Sequence, residues 1–118
     1  SAARADYADA AVAVLTSRDD QVGRVYELAG DASYSLTEFA AEVSRQSGKP
    51  VVYTDLPEAD YKAALLQAGL PAFVAELLAN SDASAAKGAL FDDGRQLSRL
   101  LGRATTPLAA SVTAALQG

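Results

Sequence analysis

The feature that most constrains this chain is a strong helix start placed between two short β-like runs. Residues 35–38, Ser-Leu-Thr-Glu, form a capping box. The Ser35 hydroxyl can accept from the Glu38 N–H, and the Glu38 carboxylate can accept from the Ser35 N–H. Residues 25–28 (Val-Tyr-Glu-Leu) precede this helix and residues 51–54 (Val-Val-Tyr-Thr) follow it. This order predicts a right-handed βαβ unit with two short parallel strands.

The rest of the chain is predicted to be helical, with breaks at glycine and proline. Half of the 118 residues are apolar, which is enough for the core of one domain. Apolar residues at helical spacing predict a first helix over about residues 6–16 and further helices after Pro57, after Pro71, near residue 97 and after Pro107. The helix after Pro71 either runs on to Lys87 or is recapped near Ser81. The predicted fold class is therefore α/β but mostly helical, with one βαβ unit and packed helices.

The same spacing predicts which helix faces are buried and where two later helices begin. Asp92 or Asp93 is expected to cap the short helix near residue 97, and Thr106 to cap the last one. The side chains expected inside the first and fourth helices are Ala8, Ala11, Val12 and Leu15, and Phe73, Val74, Leu77 and Leu78.

Composition excludes several functional classes. The chain has no cysteine and no histidine, so it lacks thiolate ligands, disulfides and the commonest general base. A net charge of −5 with scattered basic residues argues against nucleic-acid partners. No apolar run is long enough for a membrane span, and no signal peptide is visible. These features predict a cytoplasmic protein with no membrane partner.

No residue pattern assigns catalysis or a metal site. Ser84 and Lys87 have the Ser-x-x-Lys spacing of acyl-transfer enzymes, but the companion elements are missing, and a polar helix end explains them better. Residues 92–94 (Asp-Asp-Gly) lack the alternating ligands of a calcium loop. The chain contains neither Gly-x-Gly-x-x-Gly nor Gly-x-x-x-x-Gly-Lys, so neither common phosphate loop is present.

The order and spacing of seven segments are more specific than any single motif. The segments are RADYADAA (4–11), VYELAGD (25–31), YSLTE (34–38), SGKPV (47–51), LPEADY (56–61), KGALFD (87–92) and LSRLLGRATTPL (97–108). Together they resemble the carboxy-terminal part of an NmrA-like, atypical short-chain dehydrogenase/reductase, nearest to its NAD(P)H:quinone oxidoreductase branch.

The resemblance implies an incomplete enzyme. Members of the family begin with a Rossmann half that carries a glycine-rich nucleotide loop, and this chain has no such loop. Residues 1–118 are therefore expected to be a single substrate-binding portion, the carboxy-terminal part of an NAD(P)-binding, extended short-chain-dehydrogenase-like protein. The intact protein would transfer hydride from NADPH or NADH to a quinone-like acceptor. The chain alone is expected to bind no cofactor and to be inactive.

The resemblance also suggests a pocket side and leaves two other functions open. Arg4, Tyr53 and Phe91 are expected to line the substrate side, although burial in the core is the more common role for residues such as Tyr53 and Phe91. The surface that would meet the missing Rossmann half is expected to be exposed here and to favour self-association. The alternatives are a non-enzymatic, NAD(P)-sensing regulator and a freestanding helical protein-interaction module.

Overall fold

The computed structural model describes residues Ser1–Gly118 and contains six α-helices. They are α1 (Arg4–Leu15), α2 (Leu36–Ser47), α3 (Glu58–Gln67), α4 (Ala72–Ala86), α5 (Gln96–Leu101) and α6 (Leu108–Gln117). The chain divides into two compact units. The first comprises Ser1–Tyr53 with Asp92–Gly118, and the second is Thr54–Phe91. In the first unit α1 packs on α5 and α2 packs on α6, whereas the second is the α3–α4 pair.

The helical part of the predicted fold is confirmed, but the two strands of the βαβ unit are not found. Residues 25–28 and 51–54 are neither helical nor part of any strand. Val25 is 81% exposed and Val52 is 83% exposed, so each segment has at least one large apolar side chain open to solvent. The physical reason is that a sheet of only two strands is marginal unless one face is buried. No helix is long and apolar enough to cross a membrane.

The predicted start and end of α2 are confirmed in atomic detail. The Ser35 hydroxyl accepts from the Glu38 N–H at 3.2 Å, and the Glu38 carboxylate accepts from the Ser35 N–H at 2.7 Å. Tyr34 and Phe39 form the expected staple, with ring centroids 6.4 Å apart. Gly48 ends the helix in the left-handed region at φ 67°, which a residue without Cβ adopts at little cost.

Two other helix boundaries differ from the predicted ones, and the end of α4 matches one of two alternatives left open. α4 continues without recapping through Ser81 to Ala86, as the longer alternative predicted. The residue before α5 is Arg95, at a positive φ of 52°, and the Asp92 carboxylate accepts from the Gly94 N–H instead of capping the helix. The residue before α6 is Pro107. Thr106 does not cap this helix, because its hydroxyl donates to the Asp6 carboxylate.

Small residues rather than large ones form most of the core. The buried apolar residues are Ala10, Ala40, Ala75, Ala79, Leu97 and Val112. The faces predicted for α1 and α4 are therefore wrong. Val12 and Leu15 on α1 are exposed, as are Phe73, Leu77 and Leu78 on α4. Within the α3–α4 pair, α4 buries Ala75 and Ala79 and turns its large side chains outward.

Candidate functional site

The loop between α5 and α6 is held by one buried carboxylate at the start of the chain. Asp6, in the first turn of α1, is fully buried. It accepts from the Thr106 N–H at 2.7 Å and from the Thr106 hydroxyl at 3.0 Å. Arg103 lies 2.8 Å from Asp6 and 2.8 Å from Asp9, so one guanidinium bridges two carboxylates of the same helix. Burial alone would raise the pKa of Asp6, but the Thr106 N–H, the Arg103 guanidinium and the Thr106 hydroxyl together lower it.

A second carboxylate fixes the neighbouring residue of the same loop. The Asp31 N–H donates to the Thr105 hydroxyl at 2.8 Å, and the Thr105 N–H donates to the Asp31 carboxylate at 2.9 Å. The Thr105 N–H, followed by the nearby Ser98 hydroxyl, holds the pKa of Asp31 below its ordinary value. The other carboxylate oxygen, Oδ1, is buried and makes no hydrogen bond of normal geometry. The segment around Gly30 is thereby tied to the loop before α6.

The residues Asp31, Thr105 and Thr106, which these hydrogen bonds hold in place, form one side of an apolar cavity of about 600 Å³ in the first unit. We call it the Tyr34 cavity. Side chains of α2 and α6 provide its apolar walls, and the first residues of the chain close one edge. Its lining residues are Ser1, Ala2, Ala3, Gly30, Asp31, Ala32, Ser33, Tyr34, Phe39, Val43, Ala104, Thr105, Thr106, Pro107, Leu108, Ser111, Val112, Ala115 and Leu116. Its volume lies in the range typical of small-molecule sites.

Tyr34 carries a polar group at the edge of this cavity. Its phenol lies 2.6 Å from the Ser1 hydroxyl, and either group can be the donor. The Tyr34 side chain is 39% exposed, so its hydroxyl group is not sealed in the protein interior. Gly30 permits the chain start to lie here, because a Cβ at this position would stand 2.6 Å from the Ser1 carbonyl oxygen.

The three residues predicted for the substrate side do not line the Tyr34 cavity. Arg4 begins α1 and is exposed. Tyr53 is the last residue of the Ser1–Tyr53 segment of the first unit and is 39% exposed. Phe91 belongs to the second unit and is 66% exposed. None of the three is a buried core residue, so their assignment to a substrate side stays a prediction.

Sequence reasoning missed the polar ties around the cavity and identified Tyr34 only as part of the staple. Asp6 gave a signal, since an acidic residue inside an alanine-rich apolar helix needs a partner if it is buried. The partner could not be inferred, because the Asp6–Thr106 contact joins residues 100 positions apart.

The second unit has an exposed apolar face of its own. Phe73 and Leu77 lie one turn apart on α4 and are 74% and 62% exposed. Leu90 and Phe91, at the end of the unit, are exposed to a similar degree. Lys62 and Glu76 form an exposed ion pair at 2.9 Å between α3 and α4.

The residues of this chain do not form a cradle for a dinucleotide. A pyrophosphate is usually held by a glycine-rich turn between a strand and a helix N-terminus. Here Gly48 and Gly102 are the left-handed residues that end α2 and α5. Gly69 and Gly88 have positive φ just after α3 and α4. These four glycines therefore end helices instead of opening them.

Comparison with known proteins confirms the resemblance to the quinone oxidoreductase branch. The chain is 54% identical over 113 residues to quinone oxidoreductase 2 of Escherichia coli strain K12, a match that covers 96% of this chain. Its fold superposes on the crystal structure of an NADPH-dependent quinone oxidoreductase from Escherichia coli, with a TM-score of 0.93, 52% identity and 98% of this chain covered. The complex of that enzyme with NADPH matches equally well, with a TM-score of 0.93. No family model matches the chain.

A second reductase has the same fold over this region. Triphenylmethane reductase of Citrobacter sp. is 30% identical, with a TM-score of 0.89 over 100% of this chain. In each case the chain spans only about two fifths of the relative: 39% of the curated quinone oxidoreductase, 42% of its crystal structure and 40% of the triphenylmethane reductase.

Proposed function

We propose that this chain is the substrate-binding part of an NAD(P)H-dependent quinone oxidoreductase, and that the intact protein transfers hydride from NADPH or NADH to a quinone-like acceptor. The observation that carries the proposal is the 54% identity to quinone oxidoreductase 2 over 96% of the chain. The cofactor would be held by residues outside residues 1–118, because the glycines here end helices. The predicted cytoplasmic location belongs to the same proposal.

The exposed apolar surface supports the view that this part works against another one. Large apolar side chains are exposed within each unit, including Val25 and Val52 in the first and Phe73 and Leu77 in the second. We assign this surface to a Rossmann half like that of the family; without that half, we expect the same surface to drive self-association.

The two extended segments fit the same proposal. Residues 25–28 and 51–54 have the β-branched and aromatic composition of strands. The Ser44 hydroxyl accepts from the Val51 N–H at 2.8 Å and donates to the Val51 carbonyl at 2.9 Å, which holds the start of the second segment beside α2. We propose that both segments become parallel strands of a βαβ unit when the Rossmann half covers them.

Both relatives favour a reductase over a regulator. Each is described as a reductase or oxidoreductase, one acting on quinones and one on triphenylmethane dyes. Both acceptors are conjugated ring compounds. A non-enzymatic sensor or a freestanding interaction module has no comparable observation in its favour. These two functions remain the alternatives that a measurement of enzyme activity has to test.

A chimera tests the proposal directly. Residues 1–118 would replace the matching segment of quinone oxidoreductase 2 of Escherichia coli, and NADPH oxidation would be followed with 2-methyl-1,4-naphthoquinone as acceptor. Because about half of the replaced residues are identical, we expect the chimera to fold and to oxidise NADPH in a quinone-dependent way. The truncated Escherichia coli protein without this segment is the control and should be inactive.

The informative negative result is a chimera that binds NADPH yet transfers no hydride to any quinone. That outcome would favour a sensor over an enzyme. Nucleotide affinity therefore has to be measured on the same sample by calorimetry, so that loss of folding is distinguished from loss of function.

A further inference from the structure

Neither the relatives nor the sequence motifs assign a ligand to the Tyr34 cavity. We propose that it binds the acceptor as a neutral aromatic carbonyl compound and that the Tyr34 hydroxyl donates to one of its carbonyl oxygens. The proposal rests on the proposed function, since it specifies which residues of the substrate-binding part recognise the acceptor.

The walls of the cavity favour a flat, uncharged molecule. Phe39 and Val43 on α2 face the cavity together with Leu108, Val112 and Leu116 on α6. A volume of about 600 Å³ is sufficient for a two- or three-ring aromatic molecule. The ring of Tyr34 lies near that of Phe39, so an aromatic ligand would meet aromatic surface at the cavity edge.

The hydrogen-bonding groups of the cavity select an oxygen that accepts. The Thr105 hydroxyl already accepts from Asp31, and the Thr106 hydroxyl donates to Asp6. The Tyr34 phenol, which lines the cavity together with Ser33 and Ser111, can donate: when the Ser1 hydroxyl donates to it, its own proton is free for a ligand. A carbonyl oxygen accepts such a proton, whereas a plain aromatic hydrocarbon cannot.

The charge at the cavity argues against an anionic ligand. Asp31 is the only charged side chain that lines it, and the Thr105 N–H together with the nearby Ser98 hydroxyl lowers its pKa. The carboxylate is therefore ionised at neutral pH. It would repel a carboxylate or phosphate ligand, so a neutral quinone fits better than an acidic one.

The test uses a pair of probes with the same ring system. Binding of 2-methyl-1,4-naphthoquinone and of 2-methylnaphthalene to the 118-residue chain would be measured by NMR titration. We expect the quinone to bind about three- to tenfold more tightly, the effect of one net hydrogen bond. Tyr34→Phe should abolish this preference. Tyr26→Phe, which changes a tyrosine that is bonded to Gln21 outside the cavity, should retain it.

A second pair of variants tests the location without touching the buried core. Ala115 is exposed and lines the cavity, whereas its neighbour Ala114 is exposed and does not. Ala115→Phe should fill the cavity and weaken binding of both probes at least tenfold, and Ala114→Phe should leave both unchanged. Spectra of each variant without ligand report whether the fold is retained.

The proposal is overturned if both probes bind equally well to the unchanged chain, or if Ala115→Phe and Ala114→Phe behave alike. A chimera that reduces quinones while the isolated chain shows no preference would leave the proposed function in place and refute this site. Conversely, a Tyr34-dependent preference in a chain whose folded, NADPH-binding chimera is inactive would support the site and refute the function.

Discussion

Asp6 is the residue on which the first unit most depends. It lies in the first turn of α1, and its two carboxylate oxygens hold the N–H and the hydroxyl of Thr106. Arg103 offsets its charge at 2.8 Å. Asp6→Asn keeps one acceptor oxygen, so its side chain can accept from the Thr106 N–H or from the Thr106 hydroxyl but not from both, and Arg103 keeps only Asp9 as a charged partner. An unsatisfied buried polar group costs far more than the bond gained in forming it.

Asp6→Asn is therefore expected to lower the free energy of unfolding by about 1–3 kcal/mol, the usual cost of disturbing a buried polar contact. Denaturation in urea at pH 7 measures it. Asp60→Asn is the control, since Asp60 is exposed in the first turn of α3. Equal midpoints for Asp6→Asn and the unchanged chain would contradict the role given to this carboxylate.

Acid should weaken the fold through the same groups. The pKa values of Asp6 and Asp31 are both lowered in the folded chain. A carboxyl group whose pKa is lower in the folded chain than in the unfolded chain stabilises the fold at pH values above its unfolded-state pKa, about 3.9. This stabilisation is lost as the pH falls to the pKa of the folded state. We expect a level urea midpoint from pH 7 to about 5 and a decline below about pH 4. Asp6→Asn should make that decline shallower.

The cap of α2 gives a sharper test at a single residue. Ser35→Ala should destabilise the chain by about 1 kcal/mol, because one of the free N–H groups of the first turn loses its acceptor. The matched change is Thr37→Ala, two residues later in the same exposed turn. A midpoint shift no larger for Ser35→Ala than for Thr37→Ala would show that the capping box contributes nothing measurable.

At the scale of elements, local signals predicted helices well and tertiary contacts poorly. The capping box, Gly48 and the prolines fix where α2, α3 and α4 begin or end, since they act within one turn. The buried faces of α1 and α4 were mispredicted because apolar spacing identifies an apolar stripe but not its partner. The ties of Asp6 and Asp31 to the loop before α6 join residues at least 74 positions apart, which no local pattern reveals.

Hydrogen exchange tests the proposed strands. In the isolated chain, the amides of residues 25–28 and 51–54 should exchange rapidly. The Val51 amide is the exception, because its N–H donates to the Ser44 hydroxyl. In the chimera with the Escherichia coli protein, alternate amides of both segments should become protected as ladder hydrogen bonds form. The α2 amides are the internal reference. Unprotected segments in an active chimera would rule out the βαβ arrangement.

At the scale of the whole molecule, exposed apolar surface is the dominant property. Large apolar side chains are exposed in both units, including Val25 in the first and Phe73 and Leu77 in the second. Patches of this kind favour association. Replacing Phe73 and Leu77 with Gln removes apolar surface without emptying the core, because both side chains already face solvent.

We therefore expect the chain to form dimers or larger species as its concentration rises, and the Phe73→Gln, Leu77→Gln double variant to do so less. Light scattering across a concentration series measures this. Ser81→Gln, on the same helix, exposed, and polar before and after, is the matched control. A chain that stays monomeric at high concentration would contradict the assignment of this surface to a partner.

The division into two units also sets an order of events during synthesis. The second unit, Thr54–Phe91, is continuous in sequence and is complete before the ribosome has made α5. The first unit cannot close until Thr106 has been translated, 100 residues after Asp6. At ordinary elongation rates that interval is about 5–20 s. During it, α1 lacks the helix on which it packs, so the face of α1 that carries Ala10 should stay exposed until α5 has been made.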